Sequence, residues 1–210
     1  MEDEAQAIAY ARADFDEPHS KFIQLYKQAF GDDLAGEVVD LGCGTADITV
    51  RFARAFPRCR IDGIDGSFNM LQHGHELITS NGLDKQINLI HDYLPDAVSA
   101  LHHYDAVISN SLLHHLQDPQ VLWDTIADCV KSRSPVFVMD LLRPETEQQA
   151  RQLVTTNAAN EPEILQRDFY NSLLAAYTCD EVKQQLARAG LGHLSIDIVS
   201  DRHFVVSGYL

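Results

Sequence analysis

Short apolar runs alternate with amphipathic stretches along most of the chain. Five runs are predicted to be strands, and they lie at 38–41, 60–64, 87–90, 104–108 and 134–141. The stretches between them repeat apolar residues at helical spacing, which predicts helices at 46–56, 67–79 and 118–131. Strands that alternate with helices favour a mostly parallel sheet with helices on both faces.

The pattern changes at both ends of this alternation. Residues 18–30 form a predicted N-terminal helix, and residues 145–177 are typical of two polar helices separated near Pro162. Thr178 and Glu181 have the spacing of a capping box, which predicts a helix to about Gly190. The final apolar runs, 194–200 and 203–209, predict an antiparallel hairpin.

We therefore expect one α/β domain with a Rossmann-like, doubly wound, seven-stranded, mostly parallel sheet and an antiparallel C-terminal hairpin. Its predicted parts are an N-terminal helical cap (1–30), a core (37–142), a helical lid insertion (143–177), and a final helix and hairpin (178–210).

Composition narrows the range of partners. The 210 residues carry a formal net charge of −15, which disfavours nucleic acid and anionic membranes as partners, since both are bound by clustered Lys and Arg. The first residues, Met-Glu-Asp-Glu, do not resemble a signal peptide, and the four cysteines are widely spaced. We expect a cytoplasmic protein with reduced thiols; its oligomeric state stays open.

The segment from Asp40 to Asp47 suggests a ligand. Gly42 and Gly44 follow a predicted buried strand and precede a helix, so the backbone there can turn tightly against a bound molecule. A dinucleotide site needs a third glycine at the position of Asp47, where a carboxylate would repel a pyrophosphate. A ligand with a sulfonium and an ammonium reverses that argument, because Asp40 can then pair with the ammonium.

Acidic residues follow the next two predicted strands. Asp65 stands at the carboxyl end of the second strand, where an acid can accept both hydroxyls of a ribose; Asp62, inside the strand, is the alternative. After the third strand, Asp92 can accept the adenine amino hydrogen, with Tyr93 or Leu94 against the ring.

In this order the elements resemble the class I S-adenosylmethionine-dependent methyltransferases. The matching motifs, within 37–142, are VVDLGCGTA, GIDGS, HDY and YDAVISNSLLHHLQDP. The resemblance implies S-adenosylmethionine as cofactor, with S-adenosylhomocysteine as product. The implied cofactor-binding residues are Asp40, Gly42, Cys43, Gly44, Asp65, Gly66, Ser67, Met70, Asp92, Tyr93, Asn110 and Ser111. Two departures are Ala46, in place of the motif's third glycine, and Ser132-Arg133-Ser134-Pro135, in place of Pro-Gly-Gly.

The acceptor is expected to be a small molecule, because no proline pair follows Asn110 as it does in methyltransferases that act on amides and nucleobases. His114 and His115 are candidate catalytic bases, with packing or helix capping as the alternative. Candidate substrate-binding residues are Tyr10, Phe15, Arg143 and Tyr170; the alternatives are core packing for the aromatics and a salt bridge to Glu145 or Glu147 for Arg143. No metal site is expected.

The sequence thus predicts an S-adenosylmethionine-dependent methyltransferase acting on a small molecule. The alternatives are a non-catalytic regulatory module that binds S-adenosylmethionine or a nucleotide, and a protein methyltransferase. An NAD-dependent oxidoreductase is disfavoured by Asp47.

Overall fold

A seven-stranded sheet forms the centre of the computed structural model, which describes residues 16–96 and 103–210. The strands are β1 (Gly36–Leu41), β2 (Cys59–Asp65), β3 (Ile87–His91), β4 (Ala106–Asn110), β5 (Pro135–Leu141), β6 (Ser195–Ile198) and β7 (His203–Tyr209). The helices are α1 (Asp16–Phe30), α2 (Asp47–Ala55), α3 (Phe68–Ser80), a 3-10 turn (Leu113–His115), α4 (Gln120–Cys129), α5 (Glu147–Asn157), α6 (Glu163–Ala175) and α7 (Cys179–Arg188).

The strand order, β3-β2-β1-β4-β5-β7-β6, confirms the predicted fold class. The first five strands in this order run parallel, whereas β7 lies antiparallel to both β5 and β6. The order reverses between β1 and β4, because the chain first builds outward to β3 and then returns to the other side of β1. In open α/β sheets, ligands bind beyond the carboxyl ends of the strands at such a switch point.

Several element boundaries differ from prediction. β4 begins at Ala106, not Tyr104: Tyr104 makes only an isolated bridge to Val130, and its hydroxyl donates to Asp62. The helix predicted at 118–131 is Gln120–Cys129, with the backbone N–H of Gln120 donating to the Asp118 carboxylate. The first hairpin strand is shorter than predicted, Ser195–Ile198.

The N-terminal helix is fixed to the sheet by aromatic side chains. Phe22 packs edge-on against Phe137 of β5, with the ring centroids 4.9 Å apart, and Tyr26 packs in the same way against Phe52 of α2 at 4.8 Å. Phe22, Tyr26 and Phe52 are fully buried, and burial of each of the two phenylalanines contributes on the order of 1.5–3 kcal/mol. This packing places the first turn of α1 beside the start of α2.

The helical insertion packs much more lightly. Its small cluster contains Leu141, Ala150, Leu173 and Ala176 as buried members. Its capping box is formed by Thr146 and Gln149, and the predicted one at the start of α7 is confirmed. Over 16–96 and 103–210, no helix is both long and apolar enough to cross a membrane.

Candidate active site

A cavity of about 920 Å³ opens at the carboxyl edge of the sheet. Its walls come from the glycine turn after β1, the end of β4, the 3-10 turn, α1, one face of α6 and the start of β7. The volume is near the upper end for small-molecule sites, so there is room for more than one small ligand. The cavity therefore joins the predicted cofactor turn to the two candidate catalytic histidines, His114 and His115.

The glycine turn has backbone conformations that its glycines permit. Gly42 and Gly44 have φ values of 74° and 54°, and a Cβ on Gly42 would lie 2.8 Å from Leu112. Ala46 also takes a positive φ, 61°, although its methyl group disfavours that conformation. The backbone N–H groups of Gly42 and Cys43 both donate to the Ile64 carbonyl, which fastens the turn to β2.

Asp40 lies beneath the turn and is almost fully buried. Burial raises its pKa to about 7, because the hydrogen bond donated by the Thr49 hydroxyl at 2.7 Å offsets only part of the desolvation, and Asp65 raises it further. A carboxylate that ionises so reluctantly is stabilised by a cation placed beside it. Asp40 lines the cavity, so a bound ammonium can supply that charge.

Asp65 holds the turn from the side. One of its carboxylate oxygens accepts from Gly44 N at 2.9 Å, and the other accepts from Ser67 N at 2.8 Å. The rival residue, Asp62, is instead committed to the Tyr104 hydroxyl and to Asn88. Asp65 is thus the acid that shapes the glycine turn, although it is not among the described residues that line the cavity.

The other predicted cofactor residues fall into two groups. Cys43, Met70, Asn110 and Ser111 line the cavity, and Ser111 has a positive φ of 56°. Gly66, Ser67, Asp92 and Tyr93 are not among the described residues of its lining. Asp92 accepts from Tyr93 N, and the Tyr93 ring is 59% exposed beside Gly66. The second group lies at the open ends of β2 and β3.

The two neighbouring histidines differ in their surroundings. His114 is buried, with Nδ1 2.6 Å from the carboxylate of Asp140 on β5; this carboxylate also accepts from the backbone N–H groups of Leu113 and Leu141. His115 stacks on His114 at 4.1 Å and is exposed to the cavity. Desolvation by the cavity walls, and then His114, lower the pKa of His115, so it is uncharged at neutral pH.

The second nitrogen of His114 faces the cavity. Among the described residues, the buried side-chain polar atoms without a partner are the Tyr26 hydroxyl and the Thr125 hydroxyl. Nε2 of His114 has no hydrogen bond to described protein atoms and is not in that group, so it is accessible. A carboxylate can only accept, so Nδ1 donates to Asp140, and in the neutral imidazole Nε2 is then the acceptor nitrogen.

Two further regions reach the cavity. His19 of α1 lies 2.6 Å from the Asp47 carboxylate, which also accepts from Arg51. Partial burial favours the neutral acid, yet these two hydrogen bonds lower the pKa of Asp47. Arg202 and His203 line the cavity as well. The sequence gives no signal for them, since they enter only through the antiparallel pairing of β7 with β5.

The predicted substrate residues are not brought together. Arg143 pairs with Glu181 at 2.6 Å, rather than with Glu145 or Glu147, and the Tyr170 hydroxyl donates to Glu147. Neither belongs to the described residues of the cavity lining. Tyr10 and Phe15 lie outside the described residues. The lining from α6 includes Leu165, Phe169 and Ser172 instead, which are spaced along one helical face.

Comparison with known proteins agrees with this geometry. Residues 38–133 match a family model described as a methyltransferase domain. This match supports a class I, S-adenosylmethionine-dependent methyltransferase. Over 114 residues it is 35% identical to the ubiquinone/menaquinone biosynthesis C-methyltransferase UbiE of Desulfotalea psychrophila. That match covers 54% of this chain and 45% of the relative, so the chain spans less than half of that protein.

Solved methyltransferase structures share the fold of this domain. An S-adenosylmethionine-dependent methyltransferase from Aquifex aeolicus superposes with a TM-score of 0.71 at 16% identity, and the match covers 98% of this chain and 97% of the other. The plantazolicin methyltransferase BpumL, solved with S-adenosylhomocysteine, gives 0.68 at 14% identity, covering 92% of this chain and 86% of the other.

Proposed function

We propose that this domain transfers a methyl group from S-adenosylmethionine to a small molecule. The observation that carries the proposal is the continuity of one cavity, which runs from Asp40 and the glycine turn to the acceptor nitrogen of His114. A donor site and a proton acceptor in one enclosure are what a methyl transfer to a protonated acceptor requires.

The residues of the turn fit the cofactor. The positive φ values of Gly42 and Gly44 let the backbone turn tightly at the cavity wall, and the buried Asp40 provides a carboxylate that an ammonium would stabilise. When bound, S-adenosylmethionine supplies a methyl group on a sulfonium, which is already activated for displacement. Asp40 would hold the methionine end of the cofactor and Asp65 its ribose, while Asn110 and Ser111 would lie nearest the sulfur.

On the acceptor side, His114 would accept the proton that the acceptor loses. Asp140 would hold the ring and stabilise the imidazolium that forms, since its carboxylate lies against Nδ1. The face of α6 would exclude water from the reacting groups, and desolvation strengthens electrostatic interactions inside the cavity. A lid role for 143–177 belongs to this proposal.

The other classes of function have less support. A regulatory module that only binds the cofactor does not need a buried carboxylate–histidine pair that presents an acceptor nitrogen to the same cavity. A protein substrate would need an open groove, whereas helices α1 and α6 flank this cavity. The net charge of −15 supports a partner that is neither nucleic acid nor an anionic membrane, and a cytoplasmic location is part of the proposal.

Transfer of radiolabelled methyl groups tests the proposal. The purified chain is incubated with methyl-labelled S-adenosylmethionine and a cell extract that has been separated by size. We expect label in the small-molecule fraction, and His114→Ala should abolish it while S-adenosylhomocysteine still binds. Label only in protein, or no label while the cofactor binds, would contradict a small-molecule methyltransferase.

A further inference from the structure

His203 is one of three buried histidines that line the cavity, with His19 and His114, and the proposed reaction does not use it. It is the first residue of β7 and lies opposite Leu141 of β5, which places it at the carboxyl edge of the sheet. It is 9% exposed and lines the cavity. Its Nδ1 lies 3.0 Å from the hydroxyl oxygen of Ser200.

We assign the proton of the His203 ring to Nε2 from its contact with Ser200. Its hydroxyl oxygen accepts from the backbone N–H of Arg202, so its own hydrogen is available for Nδ1 of His203. A histidine that accepts at Nδ1 is protonated at Nε2. Nε2 is absent from the buried unpartnered atoms among the described residues and has no protein partner there. It therefore reaches the cavity as a hydrogen-bond donor.

The surroundings of the His203 ring also determine its charge. Burial, and then the guanidinium of Arg202, lower the pKa of His203 to about 4 against the opposing effect of Asp140. Lys21 lowers it further, and Asp201 raises it. His203 is therefore neutral at pH 7 and offers one N–H without a full charge.

His114 and His203 approach the cavity from different faces of the sheet. Residues paired across a sheet point to the same face, whereas neighbours along a strand point to opposite faces. His203 pairs with Leu141, and the residue that holds His114 is Asp140, the preceding one. His114 offers an acceptor nitrogen and His203 offers a donor. A molecule that lies between them and bonds to both therefore carries a hydroxyl near His114 and a second oxygen near His203.

We propose that His203 is a specificity-determining residue, which donates a hydrogen bond from Nε2 to a second oxygen of the acceptor while the acceptor hydroxyl faces His114. This inference rests on the proposed function. It names the substrate class as a hydroxylated compound with a second oxygen-bearing substituent. No covalent step involves His203.

Binding of simple phenols to the chain saturated with S-adenosylhomocysteine tests the inference. The probes are phenol, catechol, resorcinol and hydroquinone, titrated by NMR into the wild type, His203→Phe and His203→Gln. We expect at least one dihydroxybenzene to bind about tenfold tighter than phenol, as for a hydrogen bond whose loss leaves a desolvated donor. His203→Phe should remove this preference, and His203→Gln, which keeps a donor, should retain most of it.

Controls separate this inference from the broader proposal. His193→Phe changes an exposed histidine whose Nε2 meets the Tyr209 carbonyl, and should leave the preference unchanged. Nitrogen-15 spectra should show His203 protonated at Nε2 and Ser200→Ala losing that tautomer. Equal binding of all four phenols by the wild type, or an unchanged preference in His203→Phe, would overturn the role of His203. Loss of S-adenosylhomocysteine binding by the wild type would instead overturn the methyltransferase proposal.

Discussion

The two halves of the cavity are built in different ways. The donor half consists of backbone: the glycine turn, its positive φ values and its hydrogen bonds to Ile64 and Asp65 all lie within residues 40–67. The acceptor half consists of side chains from the 3-10 turn, β5, α6 and β7, which are far apart in the chain. A site built from one contiguous stretch of backbone can be recognised from a sequence motif. A site assembled from distant side chains can be recognised only once the fold is known.

The same contrast holds for packing. β1 and β4 are central strands with four buried residues each, so the donor half rests on the core. α5 has one buried residue, Ala150, and α6 has two. Elements with few buried apolar contacts open at lower free energy than core strands. The donor half is therefore the rigid part, and we expect adaptation to the acceptor to occur in the insertion.

The largest expected effect lies in the acceptor half. His114→Ala should lower turnover about 10²–10⁴-fold, the usual range for a lost general base, and leave affinity for S-adenosylhomocysteine near that of the wild type. Steady-state kinetics and calorimetry measure the two. His115→Ala is the matched control: no carboxylate within residues 16–96 and 103–210 is bonded to His115, so this variant should lower turnover far less. Equal losses in both variants would assign neither ring a distinct role.

The next effect concerns the donor half. Asp65→Ala should weaken S-adenosylhomocysteine binding by about 1.5–3 kcal/mol, since a charged acceptor of two backbone N–H bonds is lost together with the proposed ribose contacts. Calorimetry measures the change. Asp62→Ala removes the rival acid and should affect stability more than affinity. If the two variants bind alike, Asp65 does not shape the site.

A smaller effect is expected from pH. Asp40 has a pKa of about 7 without ligand, and an ammonium beside it favours the ionised form. Affinity for S-adenosylhomocysteine should therefore rise about tenfold from pH 6 to pH 8, and Asp40→Asn should flatten this dependence. Titration calorimetry at four pH values measures it. A flat profile in the wild type would separate Asp40 from the ammonium.

Asp40 has the opposite effect on the pH dependence of folding stability in the chain without ligand. Folded Asp40 keeps its proton up to about pH 7, whereas the unfolded chain loses it near pH 4. The folded state therefore binds more protons in this window, and the contribution of Asp40 to stability falls as pH rises from about 4 to 7.

The smallest effect is predicted for Arg143. Its ion pair with Glu181 is partly exposed, so Arg143→Ala should cost about 0.2–1 kcal/mol of stability and leave kcat and KM close to those of the wild type. Thermal unfolding and kinetics measure both. A large rise in KM would instead show that Arg143 contributes to binding the acceptor.

The residues that the sequence could predict belong mainly to the donor half of the cavity. Asp40, Gly42, Gly44, Asn110 and Ser111 could be predicted because a local motif places all five at the strand ends, where the structure has them. Arg202 and His203 could not, because their position depends on the register between β5 and β7.

Arg143 was a candidate because it follows β5 directly. Its side chain instead pairs with Glu181, which lies 38 positions later in the chain. A local sequence pattern cannot predict a pairing at that separation. The Asp140–His114 contact also spans 26 positions, so the sequence could nominate the histidine without its carboxylate.

A crystal structure with S-adenosylhomocysteine tests the division of the cavity most directly. We predict that the amino group of the ligand lies at Asp40, the sulfur lies next to Asn110 and Ser111, and the space beyond the sulfur leads to Nε2 of His114. A ligand whose sulfur points away from His114, or one bound outside the glycine turn, would contradict the account.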